Sequence, residues 1–374
     1  MTRTQIVENR SQIAIYLPSL RGGGAEKVMV TLANGFAAYG YGVDLVLARA
    51  EGPYLADVSD KVRIIDLNAS RVFFSLPALV RYLRRERPRA LLSALNHANV
   101  IAVAARALAR SATRLVVSEH NNPTIAARAE RSAAGRAVHA AMRWTYPRAD
   151  GVVAVSAGVA DDLARWAALP RSRIEVIYNS VVTPALVARA AESPAHPWFG
   201  DGGPPVVVGV GRLTAQKDFA TLLRAFALLR ADRPCRLAIL GEGDERAALA
   251  ALVAELGLQD AVALPGFVDN PYAWMRGAAL FVLSSAWEGL PTVLIEAMAC
   301  GTPVVSTDCP SGPAEILEGG RWGRLVPVGD AAALARAMAA ALDDSAPPAV
   351  AVRAADFSAE RAVEAYLRVL GVAT

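Results

Sequence analysis

Residues 206–240 read VVVGVGRLTAQKDFATLLRAFALLRADRPCRLAIL. An apolar run, Val206 to Gly211, ends on glycine, and Phe219 to Leu229 then repeats its apolar residues at helical spacing. A second short apolar run, Leu237 to Leu240, closes the unit. Runs of this length, apolar without alternation, fit strands covered on both faces, and a helix between two of them is the crossover of a parallel sheet. The alternation continues downstream as strands Val262 to Leu264, Leu280 to Ser284, Pro303 to Thr307 and Leu325 to Val328. Helices are predicted at Glu245 to Leu256, Pro291 to Ala299, Pro313 to Glu318 and Ala331 to Leu342.

Upstream, seven further strand candidates appear: Ile13 to Leu20, Val43 to Ala48, Val62 to Leu67, Ala90 to Ala94, Leu115 to Ser118, Gly151 to Ser156 and Ile174 to Tyr178. Between the two series lies ESPAHPWFGDGGPP, Glu192 to Pro205, whose Pro and Gly content forbids a helix or a central strand. The expected organisation is therefore two doubly wound α/β domains, 1–190 and 191–356. A last helix, 357–374, carries Phe357, Val363, Tyr366 and Leu367 on one face. In such sheets ligands meet the loops that follow the strands.

Composition narrows the class. The 374 residues are 54% hydrophobic and 20% charged, with 3 cysteines, which excludes a disordered chain and a disulfide scaffold. No run nears the roughly 18 apolar residues of a membrane span, and Met1 to Arg10 is too polar for a secretory leader, so a cytoplasmic protein is expected. Cys235, Cys300 and Cys309 form no close metal-ligand pair, and no metal is expected. Charge is uneven. Residues 1–190 carry 25 basic against 14 acidic residues, and within them residues 71–148 carry 14 against 3. A field confined to one segment points to an anionic surface met by one face.

Three loops carry chemistry. After the first strand, Gly22-Gly23-Gly24-Ala25-Glu26 leads into a helix, so that backbone N–H groups can approach a ligand closely; a plain tight turn reads equally well. Arg212 and Lys217 flank the loop after Val206 to Gly211 and are suited to clamping a diphosphate as a fork and a point charge. Lys217 is one of three lysines among 39 basic residues. Finally Trp287-Glu288-Gly289-Leu290-Pro291-Thr292-Val293-Leu294-Ile295-Glu296 runs from a strand through a glycine loop into a helix, with Pro291 expected at its first position. The N–H groups of Gly289, Leu290, Thr292 and Val293 would form an anion nest, and carboxylates beside it would repel the anion unless they face hydroxyls. The combination points to a nucleotide sugar.

Glu288 to Glu296 resembles the E-x7-E motif of glycosyltransferase family 4, the retaining nucleotide-sugar transferases of GT-B architecture. Gly211-Arg212-Leu213 with Gln216-Lys217 resembles that family's G-R-L-x-x-x-K segment. The Gly-rich loop, Ser118-Glu119-His120-Asn121 and Val176-Ile177-Tyr178-Asn179 follow in the family's order. The resemblance spans about residues 12 to 342 and implies two Rossmann-like domains facing a central cleft, with the last helix crossing back onto the first domain. It further implies that Arg212 and Lys217 bind the donor diphosphate without a metal, that Glu296 holds ribose hydroxyls, and that Glu288 and His120 touch the sugar. Gly23 and Gly24 line the donor side, and Phe267, Val268 and Asn270 frame the base. No separate catalytic nucleophile is apparent.

Two stretches account for the basic field. Leu76 to Arg89 sets Arg81, Arg84 and Arg85 among Leu and Val, and a second expected helix, Pro123 to Tyr146, carries Arg128, Arg131, Arg136 and Trp144. Arginine opposite apolar residues suits an anionic membrane surface, whereas nucleic acid would want aromatic platforms or a recognition motif. Family members with these loops often extend saccharides on polyprenyl diphosphate, so the resemblance implies a UDP-sugar donor and a lipid-linked or cell-surface glycan acceptor, with the protein at the inner face of the plasma membrane. Two alternatives stay open: a nucleotide-sugar epimerase of the same fold, and a peripheral membrane scaffold that only binds nucleotide.

Overall fold

The computed structural model describes residues 12–21, 23–194, 196–200 and 202–372; Gly22, of the glycine-rich loop, lies outside them. Among the described residues, thirteen parallel strands form two sheets. The first contains β1 (Ile13–Leu17), β2 (Val43–Leu47), β3 (Val62–Asp66), β4 (Ala90–Ala94), β5 (Arg114–Glu119), β6 (Gly151–Ala154) and β7 (Ile174–Val176), in the order β3-β2-β1-β4-β5-β6-β7. The second contains β8 (Val206–Val210), β9 (Arg236–Leu240), β10 (Val262–Gly266), β11 (Leu280–Leu283), β12 (Val304–Thr307) and β13 (Arg324–Val326), in the order β10-β9-β8-β11-β12-β13. Every strand expected from an apolar run is present. Each sheet reverses direction beside its first strand, between β1 and β4 and between β8 and β11, and such switch points open a crevice above the strand ends.

The chain divides into two compact units after Ser180, and the residues from Ala359 onward rejoin the first unit. The division thus precedes the Pro/Gly-rich stretch instead of falling inside it. Two features bind residues 181–205 to the second unit. The N–H groups of Val181 and Val182 both donate to Phe357 O at 3.1 Å. His196 and Phe199 lie with their ring centroids 5.1 and 5.2 Å from that of Trp274. The aromatic residues inside an apparent linker make it part of a core. Phe357 belongs to this second unit, so it does not share the face of Val363, Tyr366 and Leu367.

In the first unit the helix Ala359–Val369 packs on the helix Gly24–Ala38. Gly35 permits this approach, because a Cβ there would lie 2.4 Å from Val363 Cγ2. Val363, Tyr366 and Leu367 complete a core with Ile13, Ile15, Leu17 and Phe36. Burying each such aliphatic side chain contributes roughly 1.5–3 kcal/mol, so the terminal helix is integral to this unit.

The expected long helix Pro123 to Tyr146 is two, Pro123–Ala129 and Ala133–Thr145. Glu130 is extended, and its carboxylate accepts from Ser132 N at 2.7 Å while folding over Gly135, where a Cβ would lie 2.1 Å from the Glu130 carboxyl carbon. Ser132 caps the second helix by accepting from Gly135 N. Arg131 therefore sits in the connection between the two helices rather than on a helix face. The helix Leu76–Glu86 likewise stops before Arg87, which is left-handed at φ 49°.

Candidate active site

Because β8 and β11 are neighbours, the loops that follow them meet. Lys217 Nζ donates to Glu288 Oε1 at 2.5 Å, and Ser285 Oγ donates to the same oxygen at 2.7 Å. Gln216 Nε2 donates to Trp287 O at 3.0 Å and reaches Glu288 Oε2 at 3.4 Å. Two further hydrogen bonds lock the loops, from Ala286 N to Gln216 O and from Ser284 Oγ to Lys217 O, both at 2.8 Å. Glycine allows a third loop to close in: Gly241, at φ 140°, has space for no Cβ, since one would lie 1.9 Å from Gly211 O. Asp218, left-handed at φ 45°, ends the loop by capping the helix Phe219–Asp232.

Lys217 and Glu288 have side chains only 15% and 8% exposed. A pair so far from water persists when each charge finds its partner and further hydrogen bonds, which Ser285 and Gln216 supply. The sequence expectation assigned Lys217 to phosphate and Glu288 to sugar. Here Oε1 of Glu288 is engaged by Lys217 and Ser285, so its outward capacity lies at Oε2. Arg212 is exposed and forms no ion pair among the described residues. Glu296 is buried on the helix Thr292–Ala299. That helix starts one residue later than expected: Pro291 is its cap, extended at ψ 96°, and it lacks a side-chain cap. Its first-turn N–H groups, those of Thr292 and Val293, have no capping side chain as a partner and carry the positive end of the helix. The Glu288 N–H is occupied by Pro310 O at 3.4 Å. Gly289 and Leu290 are buried in the same loop.

Phe267 is 76% exposed beyond the end of β10, with Val268 half-buried beside it. Asn270 is committed to structure: it accepts from Ala273 N to cap the helix Pro271–Gly277 and donates to Arg189 O and Glu192 Oε2 at 2.9 and 2.8 Å. A hollow lined by Trp322, Arg324 and Asp344 lies by the starts of β12 and β13, at the sheet edge opposite these loops.

In the first unit Gly23 caps the helix Gly24–Ala38, and the Glu26 carboxylate folds back over it to within 2.0 Å of where a Cβ would stand. His120, after β5, is 8% exposed, and Nε2 lies 3.1 Å from Ser118 Oγ. Burial lowers its pKa to about 4, so the ring is neutral at pH 7. Next to it Glu119 is fully enclosed; burial raises its pKa to about 7 against hydrogen bonds from Tyr146 OH, Asn121 N and His120 N. Sequence reading missed two features here. Leu95, at the end of β4 and beside the switch point, holds φ 74° without being glycine, a strain that collects at functional loops. Tyr366 reaches Ser118 from the terminal helix. A Leu-Asn-His triplet after an apolar run could have flagged the first, but nothing local announces the second.

Residues 22–183 match the family described as Glycosyltransferase Family 4, and residues 204–344 match Glycosyl transferases group 1. The chain is 30% identical, over 89% of its length and 90% of the relative's, to the N-acetylgalactosamine-N,N'-diacetylbacillosaminyl-diphospho-undecaprenol 4-alpha-N-acetylgalactosaminyltransferase of Campylobacter jejuni. The chain belongs to glycosyltransferase family 4. It is also 30% identical to the lipopolysaccharide core biosynthesis glycosyltransferase LpsE of Rhizobium meliloti, over 94% of this chain and 96% of that one. In fold it is similar to HepE of Anabaena, solved in complex with UDP and glucose, at TM-score 0.78 and 20% identity over 97% of this chain and 100% of that one. Both units have the GT-B type of parallel sheet. Family membership decides for glycosyl transfer over epimerisation or scaffolding.

Proposed function

We propose that this glycosyltransferase moves a hexose or N-acetylhexosamine from a UDP-sugar to a lipid-linked saccharide, with retention of configuration and without a metal. The observation that carries this reading is the enclosed cation: Lys217, held by Glu288, whose Oε1 also accepts from Ser285, at the β8/β11 switch point. As the anomeric C–O bond to the diphosphate breaks, negative charge grows on the leaving oxygen. Lys217, Arg212 and the first-turn amides of Thr292 and Val293 are the groups that stabilise it, and Lys217 and the amides, fixed beforehand, need no reorganisation. The acceptor hydroxyl forms the new bond on the same face and passes its proton to the departing phosphate oxygen. In the second unit Glu296 takes the ribose hydroxyls, Phe267 the base and Oε2 of Glu288 a sugar hydroxyl; in the first unit His120 is assigned a contact to the sugar. The donor class draws support from the UDP held by HepE, and the acceptor class from the undecaprenol-linked substrate named for the Campylobacter relative. Mass spectrometry of products from a panel of UDP-sugars with polyprenyl-diphosphate saccharides tests it. Product should form in EDTA, with an α-anomeric coupling from an α-linked donor. Turnover only with added divalent metal, or a β product, would contradict the reading.

The basic segment is assigned to an anionic membrane surface on the cytoplasmic side. Phe73 and Phe74 are 69% and 60% exposed just ahead of the exposed Arg81, Arg84 and Arg85, and Trp144 is 73% exposed on the helix that carries Arg136. Apolar tips beside arginine suit the interface between headgroups and acyl chains. Among the described residues no helix is long and apolar enough to cross a membrane. Arg84 also donates to Leu108 O at 2.8 Å, so the cleanest test combines Arg81→Ser with Arg85→Ser. Flotation with phosphatidylglycerol vesicles at low salt should recover the native protein and lose most of the double variant, each arginine contributing about 1 kcal/mol. Native protein that stays unbound would contradict the assignment.

A further inference from the structure

We propose that Tyr366, on the C-terminal helix, is a positioning residue that acts through Ser118 to hold His120 in its Nδ1–H tautomer and its ring in a fixed orientation for the sugar substrate. The link to the sugar rests on the transfer reaction proposed above; the tautomer rests on geometry alone. Tyr366 is 1% exposed, and its hydroxyl makes one hydrogen bond among the described residues, at 2.9 Å to Ser118 Oγ. Ser118, 0% exposed, lies 3.1 Å from His120 Nε2. His120 Nδ1 is enclosed and has no protein partner among the described residues.

Three groups in a row share three hydrogens: one on the phenol, one on the serine and one on the imidazole. If Tyr366 donates to Ser118, the serine hydrogen is free to go to Nε2, and the ring hydrogen must then sit on Nδ1. Every group in the row is satisfied except that Nδ1–H, which is enclosed without a protein partner among the described residues. In the opposite direction Nε2–H donates to Ser118 and Ser118 to the phenol. The phenolic hydrogen is then buried without an acceptor, and Nδ1 also lacks a partner. One unsatisfied group against two decides for the first arrangement, because each polar group buried without a partner is costly. The ring stays neutral for the reason already given, so it donates through one nitrogen only. Gly35 lets Val363 approach, and the same packing delivers Tyr366 to the end of β5.

The test uses the full chain with 15N-labelled histidine. The chain has four histidines, and His120→Gln identifies the His120 signals by their loss. Long-range 1H–15N correlation should give His120 a pyrrole-like Nδ1 and a pyridine-like Nε2. In Tyr366→Phe, which keeps the packed ring and deletes only the hydroxyl, the two nitrogens should move toward each other as the second tautomer becomes populated, and kcat should fall about five- to tenfold. Ser118→Ala should shift the nitrogens likewise, providing the readout should Tyr366→Phe fold poorly. A pyridine-like Nδ1 in the native protein, or His120 signals unmoved in both variants, would overturn the inference. Moved signals with unchanged kcat would support the relay and remove His120 from the proposed reaction instead.

Discussion

Replacing Lys217 by methionine is expected to lower kcat by about 10²- to 10³-fold, the size of effect seen when one fixed charge-stabilising donor is removed from a transition state. The substitution keeps the apolar stem and deletes the charge. It also leaves the Glu288 carboxylate, 8% exposed, without its cation, and an uncompensated buried charge costs about 3–5 kcal/mol of stability. The two consequences separate in the double variant Lys217→Met with Glu288→Gln. Removing both charges should restore most of the lost thermal stability while turnover stays low. If turnover returned together with Tm, Lys217 would be a structural partner of Glu288 and nothing more.

Glu119→Gln should gain stability over the native protein, by about 3 kcal/mol, as pH rises from 4.5 to 7. The sign follows from burial. The Glu119 pKa is raised from 4.5 to about 7 in the folded protein, so across that window the native state holds a proton that the unfolded chain has released, and native stability falls as pH rises. Glutamine does not titrate and escapes this loss. His120 acts oppositely: its pKa is lowered from 6.5 to about 4. Its contribution is present above pH 6.5 and is lost as pH falls toward 4. In the native protein the two slopes largely cancel, and the variant exposes the histidine's. Urea unfolding of both proteins at several pH values measures the difference. Parallel curves would mean that Glu119 is ionised in the fold.

The sheets were legible because a strand covered on both faces, such as Val206–Val210 or Ala90–Ala94, is a short apolar run wherever it occurs. Strand ends were read too long where apolar residues continue into loops, as at Leu20 and Tyr178, since periodicity cannot see where the ladder stops. The chain's division was misplaced because Pro and Gly mark an absence of regular structure, not an absence of packing, and Trp274 gives His196 and Phe199 something to pack on. The helix break at Glu130 depends on a side chain folding over Gly135, a contact that no spacing rule reports. Lys217 and Glu288 were each readable as chemistry-bearing residues in loops after strands. Their pairing was not, because 71 residues separate them and only the order of β8 and β11 brings them together. Tyr366 lies 248 residues from Ser118 and reads in sequence as one more apolar position on an amphipathic helix.

The claim on which the rest depends is that the enclosed lysine faces the leaving diphosphate. A crystal structure of the protein with UDP tests it most directly. The β-phosphate oxygens should lie within hydrogen-bonding distance of Lys217 Nζ and the Arg212 guanidinium, with the ribose hydroxyls on the Glu296 carboxylate. A diphosphate bound away from Lys217, with the Lys217–Glu288 pair untouched, would contradict the account.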